Sequence, residues 1–114
     1  MLVKFETVLD GVNRYIDSEI YPGLNDLQEF LARLVIGRIN QSADGIKSML
    51  MTNGFARTLC LIDTDGMVDI DRLCADVRRE LERKGSMEVE IPMVGKIKFT
   101  ASDVDVLRSH IARG

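Results

Sequence analysis

The apolar positions along the chain follow two rhythms. From Leu2 to Ile20 they recur at Leu2, Phe5, Val8, Leu9, Val12, Tyr15, Ile16 and Ile20, the three- and four-residue steps that draw one stripe along a helix. Tyr21-Pro22-Gly23 ends that pattern, because proline and glycine extend a helix only at a cost. A second helix is expected from Asn25, whose side chain can cap the first turn while Gln28 bonds back, a capping-box variant. Its apolar residues Leu27, Phe30, Leu31, Leu34, Val35, Ile36 and Ile39 cover more than one face. A helix greasy on two sides needs neighbours on two sides, as the central member of a bundle or as a helix shared with another chain. It is the expected spine, with Leu34 in the interior.

Ser42 can cap a short third helix through Ile46, Met49 and Leu50, ended by Asn53-Gly54 in a left-handed turn. Phe55 to Ile62 is open between a helical turn or two and a short strand, with helix the preferred reading. Asp63-Thr64-Asp65-Gly66 is the strongest turn signal of the chain. Asp69 or Asp71 can then cap a helix that buries Ile70, Leu73, Val77 and Leu81 and closes at Gly85.

The rhythm changes to period two at Met87. Met87, Val89 and Ile91 alternate with Glu88 and Glu90, and Ile97 and Phe99 alternate with Lys96, Lys98 and Thr100, which predicts a hairpin around Pro92 to Gly95. Pairing Ile91 with Ile97 would set Val89 opposite Phe99 and Glu90 opposite Lys98. Two strands alone are marginal in water, so their apolar face is expected to lie on the helices. Thr100 or Ser102 caps a last helix carrying Val104, Leu107 and Ile111. The fold class is therefore α+β, a mostly helical bundle with one C-terminal β-hairpin packed on the helices before a final helix.

Composition narrows the function more by exclusion than by assignment. The 114 residues make one domain, 1–114, with no repeat and no linker that would separate two. A net charge of -3 makes nucleic acid an unfavoured partner, since neutralising phosphates takes an excess of Lys and Arg. No apolar run approaches the about 18 residues of a membrane span, and Glu6 and Asp10 interrupt the segment where a secretion signal would need continuous apolar residues. The location read from this is cytoplasmic, which gives the Asn40-Gln41-Ser42 glycosylation sequon no role. Cys60 and Cys74 have neither a redox nor a metal-finger spacing and read as buried thiols in a reducing compartment.

Three groups of residues invite a chemical role. The carboxylates from Asp63 to Asp71 surround Gly66, but in a calcium loop with Gly66 sixth, the first and twelfth positions would be Leu61 and Arg72, which cannot ligate. A turn followed by a helix cap accounts for Asp63, Asp65, Asp69 and Asp71. Arg78, Arg79, Arg83 and Lys84 form a basic patch interrupted by Glu80 and Glu82, and four-residue pairs such as Arg78 with Glu82 and Glu80 with Lys84 suit a solvated helix face. His110 is the sole histidine, expected on the surface of the last helix, and it cannot build a multi-histidine metal site or a two-histidine acid/base pair. No nucleophile elbow, phosphate loop or dinucleotide fingerprint is present. No catalytic, metal-binding or cofactor-binding residue is assigned, and no cofactor is implied.

The stretches Phe30 to Ile39 (FLARLVIGRI), Ile62 to Asp71 (IDTDGMVDID) and Val89 to Phe99 (VEIPMVGKIKF), followed by Ser102 to Asp105 (SDVD), resemble small proteins encoded by phages and prophages of Gram-positive bacteria. The resemblance spans most of the chain. It implies a viral context, synthesis in the cytoplasm of a bacterial host, and assembly or host-interaction roles, and it carries over no catalytic residues.

The reading reached from sequence is a non-enzymatic interaction or assembly protein acting as a homo-oligomer, with a dimer favoured and other phage or host proteins as further partners. Its contact surface is expected to be apolar, and the two free edges of the hairpin offer a route to pairing between copies. The methionines, Met49, Met51, Met87 and Met93 among them, are expected to fill the core. The alternative is a small regulatory binder, of nucleic acid through the Arg78 to Lys84 patch or of a divalent ion through the acidic turn Asp63 to Asp71. An enzyme relying on carboxylates alone is a third reading.

Overall fold

The computed structural model, which describes residues 1–91 and 94–113, lays the first and last helices side by side. Strand β1 (Leu2–Lys4) leads into α1 (Phe5–Tyr15), which loosens into a π-helical turn, Ile16–Ile20, and a 3-10 turn, Tyr21–Gly23. Helices α2 (Asp26–Gln41), α3 (Ala43–Thr52) and α4 (Gly54–Cys60) follow. Strand β2 (Met67–Asp69), helix α5 (Ile70–Lys84), strands β3 (Met87–Ile91) and β4 (Gly95–Phe99), and helix α6 (Ala101–Ala112) complete the chain. The architecture is the expected mostly helical α+β fold.

The dense part of the interior lies where α1, α5 and α6 meet. Ile62, Val68, Ile70 and Ile111 form its centre, with Phe5, Val8 and Leu107 packed around them. Gly11 lets α1 and α6 touch: a Cβ there would stand 2.5 Å from the Ile111 Cα. Strand β1 pairs antiparallel with β2, Val3 opposite Val68. Leu2 to Lys4 is thus a strand and not the first turn of the helical stripe, since three residues are too few for a two-residue period to be told from a helical one.

The caps follow local chemistry. Asn25 and Gln28 form the capping box of α2, at 2.8 Å and 3.1 Å, and Asp69 caps α5 by accepting from the Arg72 N–H at 3.3 Å. The Asp103 carboxylate accepts from the Thr100 N–H at 2.8 Å at the start of α6. The turn before β2 is held by Asp63, whose Oδ1 accepts from the N–H groups of Asp65 and Met67, both at 2.9 Å. Gly66 there has φ +78°, which a side chain rarely adopts.

Four expectations need correction. Asn53 is extended and caps α4, accepting from the Ala56 N–H at 2.9 Å, so the left-handed residue is Leu61 at the end of α4, not Gly54. The hairpin register is shifted by two residues: Val89 faces Ile97, Glu90 faces Lys96 and Ile91 faces Gly95. A two-residue slip leaves the alternation intact, so the apolar face is unchanged while the connection shortens; Pro92 and Met93 lie outside the described residues. Cys60 and Cys74 are half-buried, not fully buried. Leu34 is 54% exposed, because α2 is not the spine. That role belongs to α1 and α6, and α2 packs through one side only.

Candidate functional site

Helix α2 lies over the π-turn and the hairpin, with Tyr21, Ala32 and Val94 buried between them. Gln28 Nε2 ties the layers together by donating to the Val94 carbonyl at 3.1 Å, and Asn13 and Asn40 exchange side-chain hydrogen bonds at 3.1 and 3.2 Å. The Arg33 guanidinium sits 4.3 Å from the centre of the Tyr21 ring, a cation–π contact that holds the turn under the helix. Beneath α2 a cavity of about 450 Å³ remains, walled by Tyr15, Ile16, Ala32, Ile36, Ile97 and Phe99 among others. Its lining is almost wholly apolar.

The other side of α2 faces solvent, where Leu27 is 68% exposed and Phe30 60%. Phe55 and Leu59 on α4, one helical turn apart, are 80% and 66% exposed. The whole chain exposes 7349 Å², about 1,000 Å² more than a folded monomer of 12.8 kDa is expected to show. No family model, curated protein or solved structure matches the chain.

The residues singled out for chemistry are engaged elsewhere. Asp63 holds its turn and Asp69 its cap, while Asp71 accepts from the amino-terminal ammonium at 2.6 Å and from Arg108. Those two hydrogen bonds hold the Asp71 carboxyl below its usual range. Among the described residues, no three His, Cys, Asp or Glu side chains converge as metal ligands.

In the basic patch, Arg78 bonds to Glu82 at 3.0 Å, to Asp105, and to the Ala101 carbonyl at 3.1 Å. Arg79 pairs with Asp76 at 3.3 Å and Arg83 with Glu80 at 2.8 Å. The Arg78 to Glu82 pair is the expected one, whereas Glu80 takes Arg83 in place of Lys84. Three of the four cations thus spend their charge on neighbouring carboxylates, and the surface offered to a phosphate backbone is correspondingly weak.

His110 is buried, not on the surface. Its imidazole Nδ1 has no hydrogen-bond partner among the described residues, and its backbone carbonyl accepts from Arg14 Nη2 at 2.7 Å. The signal was present in the sequence, since His110 falls three residues after Leu107 and beside Ile111 on the stripe that α6 buries. Burial pushes the Cys74 thiol up, the opposite of what activates a nucleophile. Met51 packs on the core as expected, but Met49 and Met87 are 56% and 46% exposed. No described helix is long and apolar enough to cross a membrane.

Proposed function

We propose that the chain is a non-enzymatic interaction or assembly protein that works as a homo-oligomer through apolar surface. The observation that carries this reading is the excess of exposed area together with exposed large apolar side chains, Leu27, Phe30 and Leu34 on α2 and Phe55 and Leu59 on α4 among them. A stable interface removes about 800 Å² from each partner, and the excess is of that size. The phage or prophage setting, in a bacterial cytoplasm, rests on the resemblance of the Phe30–Ile39, Ile62–Asp71 and Val89–Phe99 stretches.

Of the two surfaces open to self-association, the helical one has the better support. Among the described residues neither outer edge of the hairpin has a backbone partner. A two-fold pairing of β3 with β3 in full overlap would nevertheless set Glu88 against Glu90, and pairing of β4 with β4 would set Lys96 against Lys98. Like charges directly opposite one another destabilise a sheet.

Sedimentation equilibrium from low to high micromolar concentration tests the reading. A mass that climbs above 12.8 kDa with concentration, in the absence of nucleic acid and divalent ions, is the expected result. A constant monomer mass overturns it, and a mass that rises only with added nucleic acid or divalent ion would turn the reading to the regulatory alternative.

A further inference from the structure

The cavity beneath α2 is enclosed by the chain's own layers. Tyr15, Tyr21 and Ala32 on its walls are 7%, 5% and 1% exposed, while Ile39 and Val89, both 44% exposed, mark where it opens to solvent. Three contacts at its margins hold the layers in place: Gln28 to the Val94 carbonyl, Asn40 to Asn13, and Arg33 over the Tyr21 ring. Between them α2 makes no extended close backbone approach to α1 or to the hairpin, so the space is spanned and not closed.

We propose that this cavity binds one uncharged small molecule of aliphatic character, held between Val35 and Ile36 of α2 on one side and Ile97 and Phe99 of β4 on the other. At about 450 Å³ the space has the ordinary size of a small-ligand pocket. Left empty, it forfeits packing for every side chain around it, at a cost that grows with its volume. Water is a poor filling, since apolar cavities stay dry. Ala32 is the one small residue on the walls, so the gap does not come from a shortage of side-chain bulk.

The lining decides the class of ligand. Glu90 is the one charged residue that touches the space, and strand alternation turns its side chain to the face opposite Val89 and Ile91. A carboxylate or ammonium drawn inside would lose its water and find no partner. Size excludes a segment of protein, because two turns of helix, about 10–12 Å across, occupy about 1,000 Å³. The ties from Gln28 and Asn40, near the two ends of α2, bar a wider opening.

The π-helical turn Ile16–Ile20 is an independent observation. Both of its isoleucines line the cavity, and such turns are rare in helices yet frequent at functional sites. Here the widened turn supplies one wall of the space.

Fluorescence titration with N-phenyl-1-naphthylamine, an uncharged dye that brightens in apolar surroundings, tests the site on the full chain at low micromolar concentration. Saturable binding of one dye per chain is expected, with displacement by decan-1-ol and a thermal midpoint that rises as decan-1-ol is added. Val35→Phe, which extends a ring from α2 into the space, should weaken dye binding at least about tenfold without loss of helicity by circular dichroism. Should that variant fail to fold, Val12→Phe makes the same test from the α1 wall. Phe55→Ser removes an exposed ring on α4 and should leave the affinity unchanged, which separates the cavity from apolar surface elsewhere.

Absence of saturable binding, full affinity in the cavity-filling variant, or loss of binding in Phe55→Ser overturns the proposal. Decanoate displacing the dye more strongly than decan-1-ol overturns the assignment to an uncharged ligand. None of these readouts depends on self-association, so the site stands or falls apart from the oligomer.

Discussion

The Tyr15 ring meets the His110 imidazole edge to face, centroids 6.2 Å apart and planes at 78°. Tyr15 makes the same kind of contact with Phe99, at 6.1 Å and 81°. One ring thereby joins the α1–α6 pair to the hairpin, and His110 acts as packing material between helices. Its enclosed Nδ1 gains no hydrogen bond among the described residues, and an unpaired buried polar atom costs about 1–3 kcal/mol. His110→Phe, which keeps a ring and removes that atom, should leave stability unchanged or raise it by about 1 kcal/mol in urea unfolding. A loss beyond about 2 kcal/mol would mean that Nδ1 has a bonding role after all.

The crossing of α1 and α6 leaves no space at Gly11, where the nearest atoms belong to the Ile111 backbone as well as its side chain. A flexible side chain could yield, but a helix backbone cannot move alone. Gly11→Ala should therefore destabilise by about 1–3 kcal/mol, although alanine is the better helix former. Gly37→Ala should do the reverse in the separated chain, stabilising it by about 0.5–1 kcal/mol. Thermal unfolding of both variants measures the contrast, and equal shifts would show that the two glycines do not differ in their surroundings.

Acid should weaken the fold through a few exposed carboxylates. The amino-terminal ammonium and Arg108 hold Asp71 below its ordinary 3.8, and hydrogen bonds from Lys47 and Arg83 do the same for Glu6 and Glu80 against 4.5. A depressed folded-state value contributes stability that is present above the unfolded value and is lost as pH falls through the folded one. The amino terminus has the opposite sign: Asp71 raises it above 8.0, so its share is complete below 8.0 and fades as pH rises through the folded value. Urea midpoints should be highest between these limits and fall on either side. Asp71→Asn should flatten both limbs, and an unchanged profile in that variant would remove Asp71 from the account.

Local chemistry made much of the fold legible. The Asn25–Gln28 box, the Asp63 turn and the Asp69 cap each depend on atoms a few residues apart, and each appears where the sequence placed it. Long-range geometry did not announce itself. Val3 finds Val68 across most of the chain, and nothing in Leu2–Lys4 marks it as a strand before its partner is known. The hairpin register slipped because alternation fixes only the parity of pairing, leaving the turn to choose among registers two residues apart. For the candidate surface, the two apolar faces of α2 were readable, but which of them would lie outside was not. That depended on α6, far along the chain, taking the place beside α1.

The same division of α2 predicts opposite fates for two residues of similar size. Ile70 is fully enclosed at the centre of the dense core, at 0% exposure, whereas Leu34 is 54% exposed. Ile70→Ala removes atoms from a site that α5, α6 and β2 cannot collapse to fill, and should cost about 2–5 kcal/mol. Leu34→Ala deletes side chain already in water and, measured on the dilute chain, should change stability by less than about 0.5 kcal/mol. At high micromolar concentration the two variants should differ in another way: Ile70→Ala that remains folded should still self-associate, while Leu34→Ala should associate more weakly. Urea unfolding at low concentration and sedimentation at high concentration together separate a residue that holds one chain together from one that holds two. Loss of folding in dilute Leu34→Ala would place Leu34 inside after all and remove it from the apolar surface proposed for self-association.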